Sequence, residues 1–401
     1  MTRSPIVIVG GGFAGINAAK SLLRLRDRPP IYLIDSAGEA TMVPGLPDVL
    51  SGRVPRFAFA RPLGELFAST GDGEVRVVRD RVVKVDLPGR RVVGSSGDYE
   101  YGALILAAGS EPEYHGFEPE GANLYTVHRL ESAMDYRQAV EARLQGSASE
   151  AQRSDDVNAV IVGGGYTGIE VAACLRLGLS DTSARPRITI VELADGVLPF
   201  MNEKRRKRVV DYLGEIDVDL RTGTGLSRLK GETATLSDGT ILENSVVCWA
   251  AGMRAPRIEI AGSIETTRDH RIETNDYLQL PGYPEVFVAG DMAALKKGGE
   301  LLRRAVNFSY YSGSQAGKNA GAFLRERPLT PFKPVDLGWI IPLGGLSTGK
   351  IFGSIPVGGR FGLRLHYLMC GFRHFGVRQG WEFYKTGFHL NRAPARLLSS
   401  G

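Results

Sequence analysis

Seven short, almost wholly apolar runs punctuate the chain: Ile6–Val9, Ile31–Ile34, Leu104–Leu106, Ala159–Val162, Ile188–Val191, Val246–Trp249 and Val286–Val288. They do not alternate apolar with polar residues, so each reads as a strand buried on both faces. That is the pattern of a parallel sheet covered by helices on either side. Helical segments separate the runs, as βα alternation requires. The pattern predicts an α/β fold in which the first three runs and the last share one sheet and the middle three form another.

The polar residues between the runs repeat as well. Ile6–Val9 leads into Gly10-Gly11-Gly12-Phe13-Ala14-Gly15, and Ala159–Val162 leads into Gly163-Gly164-Gly165-Tyr166-Thr167-Gly168, 153 residues later. G-x-G-x-x-G between a strand and a helix is a phosphate cradle. Its first glycine makes the tight turn, its second admits a pyrophosphate, and its third lets helix and strand pack closely. The helix N-terminus then favours the negative phosphates. Such a site expects an acid about 20 residues on, at the end of the next strand, for ribose hydroxyls. Ile31–Ile34 ends at Asp35 and Ile188–Val191 ends at Glu192, so both copies are complete. Two dinucleotides in one chain suggest a flavin and a nicotinamide and an electron-transfer enzyme. Glu192 would repel the 2′-phosphate of NADP, and no basic residue adjoins it, which favours NADH.

Three further segments carry a resemblance. Leu104–Ser110 and Val246–Gly252 look like the strand-end "ATG" elements of two-dinucleotide flavoproteins, and Val286–Asp291 looks like their late "GD" motif. Within that superfamily the chain resembles type II NADH dehydrogenases and the related apoptosis-inducing-factor-like oxidoreductases. Gly163–Glu170 is similar to their GGGPTGVE signature, with tyrosine for proline, and Met42–Gly52 is similar to their flavin-side loop. The tail from Leu343-Gly344-Gly345 through Gly380-Trp381 resembles their C-terminal membrane-contacting region, though it is shorter. Where their quinone helix reads A-Q-x-A-x-Q, this chain has Val306-Asn307-Phe308-Ser309-Tyr310-Tyr311, so neither glutamine remains.

The resemblance implies two Rossmann-like domains, an FAD domain with an NAD domain inserted in it, plus a C-terminal basic, aromatic-rich region. The expected divisions are 1–112, first part of the FAD domain; 113–156, a connecting segment; 157–255, the NAD(H) domain; 256–335, second part of the FAD domain; and 336–401, a C-terminal region and candidate membrane-interface anchor. It implies FAD on Gly10, Gly12, Phe13, Ala14, Gly15, Asp35, Pro44, Val82 (at the adenine), Ala108, Gly109, Gly290 and Asp291 (at the ribityl chain). It implies NADH on Gly163, Gly165, Thr167, Gly168, Glu192 and Gly252, with Glu170 as the catalytic acid beside the nicotinamide. A quinone would meet Asn307 and Tyr311. The implied activity is a non-proton-pumping, FAD-dependent NADH dehydrogenase passing two electrons to a quinone. The alternatives are a soluble reductase of a small electron-carrier protein and an apoptosis-inducing-factor-like regulatory flavoprotein.

Composition trims the options. The chain has 401 residues, enough for two or three domains. Its three cysteines, Cys174, Cys248 and Cys370, lie far apart. Dithiol chemistry is therefore excluded; Cys174 and Cys248 read as core residues and the chain as intracellular. No metal site is expected. No leader is expected ahead of the first strand, and no transmembrane helix, since no apolar run reaches the length of a membrane span. The net charge of +5 is uneven: residues 351–401 hold seven Lys/Arg against Glu382 alone, interleaved with aromatics. That suits an interfacial anchor on an anionic membrane, peripheral on the cytoplasmic face of the cell membrane. Covering the flavin domain, or a homodimer contact, is the competing use of the same aromatics. Nucleic-acid binding lacks any recognition module. Lys204–Arg208 reads as a solvated helix face, Gln145–Glu150 as a loop, and Pro328, Pro331 and Pro334 as the end of a helix spanning about 305–325.

Overall fold

A computed structural model describes residues 4–52, 59–68, 75–149, 157–179, 185–376 and 381. Its helices are α1 (Phe13–Leu23), α2 (Leu46–Val49), α3 (Leu63–Phe67), α4 (Leu130–Ser149), α5 (Tyr166–Gly178), α6 (Glu203–Glu215), α7 (Val306–Phe323) and α8 (Gly359–Phe375).

Two sheets of like construction form the frame. The larger runs in the order Gln279–Leu280, Tyr283–Val288, Ala103–Leu106, Ile6–Val9, Ile31–Asp35, Val75–Arg79, with only the first pair antiparallel. The smaller runs Leu124–Tyr125, Ser245–Trp249, Asn158–Val162, Arg187–Glu192, Val218–Thr222, all parallel. Every residue of Ile6–Val9, Ala103–Leu106, Asn158–Val162 and Ser245–Trp249 is buried, as their unbroken apolar character requires. The expected α/β architecture of two dinucleotide-binding units is the observed one. In both sheets the glycine-loop strand is central, so its C-terminal end opens at the point where the strand order reverses, the place where such sheets take ligands.

The two units meet through paired crossings. Glu111–Pro112, leaving the larger sheet, runs antiparallel to Met253–Arg254, returning from the smaller one. The Arg254 guanidinium ties the pair, at 2.9 Å to Glu111 and 3.4 Å to Glu113. Helix α4 continues to Ser149, through the stretch read as a loop from Gln145. Gln, Ser and Ala are tolerated in a helix, and one glycine costs only about 1 kcal/mol there. Helix α7 ends at Phe323, and the proline-bearing stretch that follows has no regular structure. The run Lys204–Arg208 lies on α6, whose buried residues are Val209 and Leu213, and Lys207 pairs with Asp211 at 2.8 Å.

The C-terminal region is a three-stranded antiparallel sheet, Gly338–Leu343, Leu346–Ile351 and Ile355–Gly358, followed by α8. One face of α8 is buried, through Leu363, Tyr367, Cys370 and Arg373, while Phe361 and Phe372 face outward. Asn17 of α1 donates to the Arg373 carbonyl at 3.1 Å, which docks α8 on the first unit. The aromatics therefore divide, some covering the protein and some facing solvent. Arg378, Glu382, Phe383, Tyr384, Lys385, Phe388, Arg392 and Arg396 lie outside the described residues.

Candidate functional site

Each glycine loop is a clamp closed by its acid. Gly10 has φ +106° and Gly163 φ +112°, a turn only glycine takes without strain. A side chain on Gly15 would collide with the Gly10 carbonyl, and one on Gly168 with the Gly163 carbonyl. Gly12 and Gly165 differ: nothing lies within 4 Å of where their Cβ atoms would stand. The fold leaves room there that its own packing does not need. Both cap a helix (α1 and α5) with no side-chain hydrogen bond to the cap, so the first N–H groups of each helix face that room. That is the cradle a pyrophosphate fits.

The acids are held in matching ways. Asp35 accepts from Gly11 N–H at 2.7 Å through Oδ2, and from Ala37 and Gly38 N–H at 2.9 Å through Oδ1. Glu192 accepts from Gly164 N–H at 2.7 Å through Oε2 and from Ala194 N–H at 2.9 Å through Oε1. Each carboxylate is fixed beside its cradle and keeps lone pairs for ribose hydroxyls. The observed donors fit one dinucleotide per unit.

Around the first cradle, Phe13 and Ala14 are buried in the first turn of α1, and Pro44 lies in a tight turn at Val43–Gly45. Val82 opens the strand Val82–Asp86. Ala108 and Gly109 follow the strand Ala103–Leu106, and nothing crowds Gly109 either. Gly290 and Asp291 form a short turn ahead of α7. Asp291 is fixed by two serines that the sequence does not single out, Ser110 at 3.0 Å and Ser309 at 3.2 Å, while Ser312 receives the Gly290 N–H at 2.9 Å. A serine next to a glycine element is too common a signal to mark them. Around the second cradle, Thr167 is exposed on α5, and Gly252 lies at the returning crossing beside the His115 ring.

Glu170 sits in the second turn of α5, is 6% exposed, and makes no hydrogen bond among the described residues. Burial, and then the nearby charge of Asp48, hold its carboxyl well above the usual range. The tyrosine that replaces proline in the signature serves the packing of the fold. Tyr166 donates its hydroxyl to the Ile340 carbonyl, and Tyr212 donates to the Leu343 carbonyl at 3.0 Å. Two tyrosines of the second unit thus hold the C-terminal sheet. Asn307 turns inward and spends its amide on the Val335 carbonyl at 2.8 Å, whereas Tyr311 is half-buried with its ring edge-on to Tyr310. All three cysteines are buried and unpaired, and burial pushes their thiols up. Among the described residues no group of side chains has the makings of a metal site, and no helix is long and apolar enough to cross a membrane.

Residues 4–308 match the pyridine nucleotide-disulphide oxidoreductase family. An NADH dehydrogenase-like protein of Mycobacterium tuberculosis is 31% identical over 367 residues, 88% of each chain. The type II NADH:quinone oxidoreductase Ndh of the same organism is 28% identical over 386 residues, 89% of this chain and 81% of that one. The type II NADH:quinone oxidoreductase of Staphylococcus saprophyticus is 26% identical over 369 residues, 88% and 90% of the two chains. In fold, NDH2 from Plasmodium falciparum, solved with NADH, superposes with a TM-score of 0.82 over 97% of this chain and 99% of that one, at 14% identity.

Proposed function

The chain belongs to the pyridine nucleotide-disulphide oxidoreductase family, among its type II NADH:quinone oxidoreductases and NADH dehydrogenase-like proteins, and from that premise we propose that it carries electrons from NADH through FAD to a quinone. The observation that carries this reading is the pair of like-built clamps, each a glycine cradle with its own fixed acid.

Gly10, Gly12 and Gly15 with Asp35 hold the ADP half of FAD; Phe13, Ala14, Pro44, Val82, Ala108, Gly109 and Gly290 line its bed, and Asp291, braced by Ser110 and Ser309, takes the ribityl hydroxyls. Gly163, Gly165, Thr167, Gly168 and Glu192 hold NADH, with Gly252 at the mouth and Glu170 beside the nicotinamide. Bound FAD supplies the two-electron acceptance and onward transfer that the side chains cannot. Burial of Glu170, with no hydrogen bond among the described residues, raises its carboxyl well above the usual range and favours the neutral form beside whatever binds there. Tyr311 offers the quinone its hydroxyl, and Asn307 shapes the wall from behind.

Phe352 and Ile355 are exposed at the hairpin tip, and Phe361 is exposed beside Arg360 at the start of α8, at the other end of the strand Ile355–Gly358. Those exposed apolar side chains and the basic residue among them support docking on an anionic membrane, on the cytoplasmic face. The test is anaerobic stopped-flow: NADH should bleach the flavin absorbance, and a short-chain quinone should restore it over many cycles. A flavin that reduces once and is not reoxidised by quinone sinks the reading.

A further inference from the structure

Reduction of a quinone by NADH takes up one proton. NADH, a quinone and H⁺ give NAD⁺ and a quinol, because the hydride brings two electrons and one proton while two O–H bonds form. The second proton comes from the medium, and a buried acid away from the glycine clamps is placed to hold it on the way.

Asp48 of α2 is 1% exposed. Its Oδ2 accepts from the Tyr367 hydroxyl of α8, and its Oδ1 accepts from Cys174 Sγ of α5 at 3.5 Å. Three elements from three parts of the chain thus converge on one carboxyl. Glu170 and Cys174, four residues apart on α5, share a face, which puts Glu170 one turn from that contact. No cation joins them among the described residues. From α4, Arg137 is engaged with Glu141 at 2.7 Å and with the Val49 carbonyl at 3.3 Å. From α8, burial lowers the His366 ring to about 4, so it is neutral. Burial pushes Asp48 up to about 7, and the bonds from Tyr367 and Cys174 pull it back only in part. Two buried carboxyls one helical turn apart, with no cation between them among the described residues, cannot both ionise at low cost.

We propose that Asp48, paired with Glu170, holds the proton that quinone reduction draws from solvent. The Asp48 O–H breaks and its proton ends in a quinol O–H, and a proton from the medium restores the acid. Tyr367 and Cys174 are positioning residues that fix the Asp48 carboxyl. The proposal rests on quinone being the acceptor.

The test compares FAD-loaded wild type, Asp48→Asn and Tyr367→Phe. In wild type, quinone turnover should fall as pH rises through about 7, since the donor must be protonated. Asp48→Asn should lose that limb and lower quinone turnover by about a hundredfold, the low end of what a positioned proton donor contributes. Ferricyanide, which accepts electrons without protons, should lose far less. Tyr367→Phe removes a bond that lowers the Asp48 pKa, so it should move the limb to higher pH. It also keeps the idea testable if the asparagine variant does not fold. Independently of any acceptor, infrared difference spectra on raising the pH should show loss of a protonated-carboxyl band that Asp48→Asn lacks. Thermal stability should respond too. A raised native pKa stabilises below the unfolded value of about 3.8, and that stabilisation is lost as pH climbs to about 7. Asp48→Asn should therefore melt higher than wild type at pH 8. An unchanged pH limb in both variants, or equal losses of quinone and ferricyanide reduction, overturns the proposal. A wild type that shows the infrared band yet never turns over quinone refutes the acceptor instead.

Discussion

At the scale of single residues, the clamps make their glycines and acids unequal. Gly15 and Gly168 are required by the protein's own packing, whereas the space beside Gly12 and Gly165 is open, which the proposed function gives to the bound dinucleotides. In the proposed function Glu192 chooses the ligand: its carboxylate is held at 2.7 Å by Gly164 N–H, where it would meet a 2′-phosphate. NADH should be preferred over NADPH by at least about tenfold, roughly 1.4 kcal/mol. Glu192→Ser should narrow the ratio of kcat/KM values; equal values in the wild type remove that role. Asp291 accepts from Ser110 and Ser309, so its carboxylate is aimed before any ligand arrives. Asp291→Ala should leave the fold intact and lower the FAD content of the purified protein, read from the ratio of flavin to protein absorbance. Full retention of FAD would place the ribityl contact elsewhere.

At the scale of elements, the decisive contact is α1 against α7. A side chain on Gly313 would strike the Ala14 backbone, and one on Gly317 the Ala18 backbone, so the helices cross at glycine with main chains touching. The crossing places Asp291 and the start of α7 next to the first cradle. Gly313→Ala should cost about 1–3 kcal/mol, the range for overpacking a filled interior, and should release FAD at lower temperature. A thermal midpoint and flavin retention equal to wild type would mean that the helices separate freely. The glycines of α7 were legible as residues in the sequence, but their partner was not. Nothing in an 18-residue helical pattern says that its small face meets a helix nearly 300 positions earlier.

At the scale of the whole molecule, the C-terminal region joins the two units and leaves several aromatics exposed. Tyr166 and Tyr212 bind its first strand from the second unit, and Asn17 and Asp48 bind α8 from the first. Away from those contacts, Phe352 at the hairpin tip and Phe361 at the start of α8 are 68% and 67% exposed. The protein should sediment with anionic vesicles at low salt and be released as salt rises, each Lys or Arg near the surface adding about 1 kcal/mol. Phe352→Asp with Phe361→Asp should abolish sedimentation while NADH:ferricyanide activity persists. If the double variant still sediments, the docking edge lies elsewhere.

The sequence by itself determined what depends on neighbours along the chain. Unbroken apolar runs, the glycine turns that follow them and the acids about 20 residues on are local patterns, and they specified both sheets and both cradles. The tertiary structure alone decided what depends on residues distant in sequence. It gave Tyr166 a carbonyl to hold, turned Asn307 away from the surface, braced Asp291 with serines, and enclosed Asp48 between α5 and α8. An aspartate in a proline-bearing loop reads as solvated. Only burial, which removes its water and supplies no cation, makes it an acid that holds its proton near neutral pH.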